Sequence, residues 1–138
     1  MLKKTIKYTD FEGVEREEDF YFHLSKTELA RLQYNQDESY TDRVTTIFRK
    51  KDSHALMRLF EELILMSYGK KSPDGTSFVK DDEQTKLFMH SPAYDELYFE
   101  LFSGDGSNFQ NFMYGIVPKD MAAEAKKAVD SGEVKMLQ

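Results

Sequence analysis

The chain has 138 residues and a formal net charge of −6, from 19 basic and 25 acidic side chains. Hydrophobic residues make up 40% of it and aromatics 14%, with 11 Phe, 8 Tyr, no Trp and no Cys. These figures describe one soluble domain able to bury a core; they exclude a wholly disordered chain, a disulfide scaffold and a thiolate metal site.

Two strands come first. Residues 2–9 alternate, with Leu2, Ile6 and Tyr8 on one face and lysines and threonines on the other. A turn follows at Asp10-Phe11-Glu12-Gly13, where glycine supplies a positive φ. The return strand ends at residues 19–22, with Phe20 and Phe22 on a shared face. Residues 15–19 are almost entirely charged, the mark of a solvated hairpin protected against edge pairing.

The pattern then turns helical. Ser25-Lys26-Thr27-Glu28 is a capping box that opens a first helix to about Tyr34. Residues 35–39 read as a loop. A second helix, about 40–50, carries Val44, Ile47 and Phe48 on one side. The third, capped by Asp52 or Ser53 and ended by Gly69, has the widest apolar arc: Leu56, Met57, Leu59, Phe60, Leu63, Ile64, Met66 and Tyr68. Such a helix belongs at the centre of a core. Leu65 falls among its charges.

Residues 70–80 read as a loop around the turn signal Pro73-Asp74-Gly75. Asp81 opens a short helix to about His90. Ser91-Pro92 starts the next, whose stripe is Tyr94, Leu97, Tyr98, Leu101 and Phe102. After Gly104-Asp105-Gly106, Ser107 caps a helix striped by Phe109, Phe112, Met113 and Ile116, and Pro118 stops it. The expected fold is α+β: a hairpin at 2–23 packed on about five to six helices over 25–118, one compact domain. Residues 119–138 form a marginally helical or disordered tail.

Catalytic and metal signatures are missing from this pattern. His23, His54 and His90 are far apart and fit no metalloprotease spacing. A calcium loop with Gly75 at its sixth position would start on Lys70 and end on Asp81, the wrong residues for both places. Gly104-x-Gly106 lacks a third glycine and follows a helix, so it is no dinucleotide fingerprint. There is no phosphate-binding Gly-Lys-Ser/Thr and no nucleophile elbow. The acid pairs Glu61-Glu62, Asp81-Asp82 and Asp95-Glu96 lie on polar faces or at helix starts, where the helix dipole favours them. Arg43, Arg49, Lys50 and Lys51 could form a basic patch, but the acidic balance argues against nucleic acid as the main partner. No cofactor is expected. No apolar run reaches the ~18 residues of a membrane span. The first seven residues lack the apolar core of a signal peptide, so a cytoplasmic protein is expected.

Several stretches nonetheless carry a family likeness. They are Ile6-Lys7-Tyr8-Thr9-Asp10-Phe11-Glu12-Gly13, then residues 15–29, then Phe60-Glu61-Glu62-Leu63-Ile64-Leu65-Met66-Ser67-Tyr68-Gly69 with the following Lys70-Lys71-Ser72-Pro73-Asp74-Gly75. Ser91-Pro92-Ala93-Tyr94-Asp95-Glu96-Leu97 and Phe112-Met113-Tyr114-Gly115-Ile116-Val117-Pro118 complete the set. Together they resemble the tail assembly chaperones of long-tailed phages and prophages of Gram-positive bacteria. The family's usual Phe-Asn-Gly is here Phe11-Glu12-Gly13, which weakens a type I′ turn. The resemblance carries no catalytic residue. It implies a non-enzymatic helper, absent from the finished virion, that holds the tape measure protein in solution until the tail tube polymerises. The tail-tube protein and a second copy of the chain are further candidate partners. A permanent tail component or a small nucleic-acid-binding regulator is the alternative. The resemblance also implies a longer frameshifted product. Lys126-Lys127 marks where a slip site would lie, although two ordinary lysines on a solvated helix is the simpler reading.

A chaperone of this kind needs apolar side chains left near its surface. Leu65, Phe99 and Tyr114 fall beyond the main stripes of their helices at 100° per residue. Met66 and Met113 lie at or near stripe edges, where thioethers fit varied partners. These five are the expected partner-binding residues.

Overall fold

A computed structural model describes residues 1–34, 40–104 and 106–119. The expected tail, beyond Lys119, lies outside the described residues, as does Lys126-Lys127. Strands β1 (Leu2–Thr9) and β2 (Glu15–Phe22) pair antiparallel, from Leu2 opposite Phe22 to Thr9 opposite Glu15. Helices α1 (Lys26–Tyr34), α2 (Tyr40–Lys50) and α3 (Ser53–Ser67) follow. Strands β3 (Tyr68–Lys71) and β4 (Phe78–Val79) then extend the hairpin into a four-stranded antiparallel sheet of order β1-β2-β3-β4. Helices α4 (Asp82–Met89), α5 (Pro92–Phe102) and α6 (Ser107–Ile116) complete the described chain. The α+β expectation, with an N-terminal hairpin and six helices, is the observed architecture.

The turn of the first hairpin is a three-residue loop. Asp10 N–H donates to Val14 O, Gly13 N–H donates to Asp10 O, and Gly13 takes a φ of 83°. A left-handed residue closing a three-residue loop is the common alternative to type I′ and has no need of asparagine. The Asp10 carboxylate fixes this loop by accepting from the N–H groups of Glu12 and Val14 and from Arg16 Nε at 2.6 Å. Residues 15–19 are all exposed, and β1 answers them with Thr5 and Lys3 on Asp19 and Lys7 beside Glu17. Pairs this open to solvent add little stability, so the charged run acts as a solvated edge.

The helix starts follow their capping residues. Ser25 Oγ accepts from Glu28 N–H while Glu28 Oε1 accepts from Ser25 N–H, a complete capping box. Asp52 caps α3, Asp81 caps α4 and Ser91 caps α5, with Pro92 in the first turn. Helix α6 departs from expectation. Its cap is Gly106, left-handed at φ 94°, which has no side chain to offer, and Ser107 is already helical.

The third helix ends earlier than its stripe suggests. Ser67 Oγ, fully buried, donates to Leu63 O at 2.6 Å, and at Tyr68 the backbone turns extended. Gly69 is therefore no helix stop. It sits in β3 beneath Phe78, and a Cβ here would stand 2.6 Å from the Phe78 Cε2 and 2.9 Å from the Val79 backbone oxygen, so a side chain would strain the β3–β4 pair. The expected loop at 70–80 is the hairpin that joins β3 to β4, closed by Ser72 N–H donating to Ser77 O.

Aromatic rings make up much of the interior. Phe60 lies 4.0 Å from Phe109, centroid to centroid, and 5.8 Å from Phe102. Tyr68 stacks on Phe88 at 4.4 Å, and Phe22 joins them at 5.8 Å from Phe88 and 5.4 Å from Phe112. Leu56, Leu59, Phe60, Leu63, Ile64 and Ser67 of α3 are all buried, which makes this helix the central element. The sheet is tied to the end of α6 by Leu24 N–H, which donates to Ile116 O at 2.6 Å.

Candidate functional site

The chemistry-bearing side chains do not converge. His54 is exposed on α3, His90 is exposed just after α4, and His23 stands edge-on to Phe78 at 6.2 Å. Burial lowers the pKa of His23, helped by the N-terminal charge and Lys80. Among the described residues no three His, Cys, Asp or Glu gather where they could hold a metal ion. Arg43, read as part of a basic patch, is instead forked onto Glu62 of α3 by two 2.9 Å hydrogen bonds. A bidentate pair of this kind spends the guanidinium on holding α2 against α3. Lys71 lies over the Tyr21 ring at 5.7 Å. Glu28 binds Lys80 Nζ at 2.6 Å. Burial alone would push the Glu28 carboxyl up, but the Lys80 ammonium and the Ser25 N–H outweigh it and hold it below its ordinary value.

The five expected partner-binding residues are placed unequally. Phe99, on α5, is 68% exposed. Leu65 and Met66 on α3, and Met113 and Tyr114 on α6, are half-buried and pack against the core. Phe99 is not alone. Its ring lies 5.9 Å from Tyr98, which stacks on Phe102 at 6.4 Å and donates its hydroxyl to Met57 O of α3 at 3.2 Å. Met57 is 45% exposed and Phe102 39%. Tyr98, Phe99 and Phe102 thus give α5 an accessible aromatic strip that, with the exposed Met57 across from it on α3, borders the seam between the two helices.

By helical spacing Met57, Tyr98 and Phe102 belong to apolar stripes. Met57 and Phe102 stand at the edges of those stripes, and edge positions are where exposure begins. A second apolar point is Phe11, 85% exposed at the tip of the first hairpin. It was legible only as a turn residue.

Carboxylates border the seam. Burial, then the charges of Glu61 and Asp95 along with the neighbouring Tyr98, raises the pKa of Tyr94. Burial and Glu61 do the same to Tyr98. Glu61, Asp95 and Glu96 are exposed. Such a surface can bind an apolar segment.

No helix among the described residues is long and apolar enough to cross a membrane. No curated protein and no solved structure matches the chain. A family model described as phage tail assembly chaperone matches residues 1–137. Membership implies a non-catalytic role in building a tail with protein partners. The chain belongs to the phage tail assembly chaperone family.

Proposed function

We propose that this chain binds the tape measure protein of its phage and keeps it in solution until the tail tube polymerises around it. The observation that carries the reading is the family match over residues 1–137. A long helical partner exposes apolar faces that would otherwise aggregate. An acidic chain of net charge −6 that covers those faces keeps the complex dispersed. Residues 1–118 act as the compact working unit. Phe99 touches the partner directly, while Leu65, Met66, Met113 and Tyr114 contribute the edges they expose. Contacts of moderate strength, repeated along the partner, allow tube subunits to displace the chaperone. The chain works in the host cytoplasm and leaves before the virion is finished.

The test is capture and fate. Tagged chain should co-purify with the tape measure protein of the same genome, and mass spectrometry of purified virions should find the tape measure protein without this chain. Its presence in virions at stoichiometric level would make it a permanent tail component. Retention of DNA or RNA at physiological salt, with no tape measure protein captured, would make it a nucleic-acid-binding regulator.

A further inference from the structure

We propose that the seam between α3 and α5 docks one amphipathic helix whose apolar stripe is flanked by lysines or arginines. The identity of the polypeptide rests on the chaperone reading; the chemistry of the contact rests on the seam itself. Phe99 and Phe102 stand one turn apart along α5, the i, i+3 spacing that presents a ridge to a partner helix. Met57 lines the opposite side, held beside α5 by the Tyr98 hydroxyl on its carbonyl. Helix α5 has 11 residues and so runs about 16 Å, which a partner helix covers in about three turns.

The charges around this strip select the partner. Asp95 and Glu96 lie four and three residues before Phe99, and Glu61 lies four after Met57, so all three border the apolar strip. Among the described residues none of the three forms an ion pair. Their acidic neighbours are already paired, Glu62 with Arg43 and Glu100 with Lys4 at 2.8 Å. What remains unpaired beside the seam is therefore negative. The exposed Arg58 stands about 100° round α3 from Met57, on the side away from Phe60, the residue that packs on α5. A basic-flanked helix gains from these carboxylates, and an acidic-flanked one is repelled. A second copy of this chain fits poorly. A two-fold contact through the seam would set Glu61, Asp95 and Glu96 against their own images.

Two helical peptides of about 20 residues, long enough to hold a helix, test this by fluorescence anisotropy. They share one leucine stripe, flanked by lysines in the first and glutamates in the second. The chain should bind the lysine peptide about tenfold more tightly or better at low salt, with the gap closing as salt rises. Phe99→Asp should weaken that binding about tenfold or more, as loss of a central aromatic anchor does. Glu61→Lys combined with Glu96→Lys should reverse the preference. Both variants alter exposed side chains, and circular dichroism checks that they fold. Equal affinity for the two peptides, or full binding by Phe99→Asp, overturns the proposal, as does a dimer that Phe99→Asp dissolves. The chaperone reading fails separately. If Phe99→Asp solubilises the tape measure protein as well as wild type, the seam is wrong and that reading stands. If wild type discriminates between the peptides yet leaves the tape measure protein insoluble, the seam stands and that reading fails.

Discussion

Three leucines form a graded test of where the core lies. Leu63 of α3 is 3% exposed, Leu65 on the same helix is half-buried, and Leu87 of α4 is 59% exposed. Truncating Leu63 to Ala removes three carbons worth about 0.8 kcal/mol each, about 2.4 kcal/mol in all. The aromatic rings packed around α3 cannot fully collapse into the space, so the cavity brings the loss to about 2–5 kcal/mol. At about 4 °C per kcal/mol for a chain of this size, the thermal midpoint falls by roughly 8–20 °C. Leu65→Ala should cost about 1 kcal/mol, and Leu87→Ala less than about 0.5 kcal/mol. Urea unfolding followed by circular dichroism measures all three, with an unchanged m-value licensing the comparison. Equal losses, or a Leu63→Ala loss below about 0.5 kcal/mol, would show that α3 is not central.

Further predictions rest on single residues. Gly69→Ala should cost about 1–3 kcal/mol as an overpacked site, because its Cβ would fall 2.9 Å from the backbone oxygen of Val79 as well as against Phe78. Amide exchange should quicken first in the β3–β4 pair, and protection there equal to wild type would refute the close approach. The Asp74 carboxyl is held down to about 2, first by the Ser72 hydroxyl and then by the N–H and hydroxyl of Thr76. The folded value lies below the ordinary 3.8, so the loop's contribution is complete above 3.8 and is lost as pH falls through about 2. Carbon-13 NMR should follow that titration, and Ser72→Ala should raise the value; a wild-type Asp74 titrating near 3.8 would contradict it.

The parts of the fold written in local chemistry were readable. The capping box at Ser25, the caps at Asp52 and Ser91, and the wide arc of α3 each depend on neighbours a few residues away. The short strands were not readable, because β3 and β4 exist through long-range pairing. Tyr68 continues the helical stripe of α3 at 100° per residue, and only its pairing with Phe22 makes it a strand. Gly69 looked like a helix stop for the same reason, although its role is to admit the Phe78 ring. The candidate surface was half-legible. Phe99 stood out because it leaves its stripe. Met57 and Phe102 were hidden, since which edge of a stripe stays open depends on how α3 and α5 meet. The fork of Arg43 onto Glu62 joins residues 19 apart, beyond the reach of any local pattern.

The central claim is that this chain keeps the tape measure protein soluble, and the fraction of that protein left in the supernatant after centrifugation measures it directly. Expressed alone, the tape measure protein should pellet. Co-expressed with this chain, most of it should remain in solution, in a complex that carries the chain in several copies. An unchanged soluble fraction with and without the chain, at equal expression, would contradict the account.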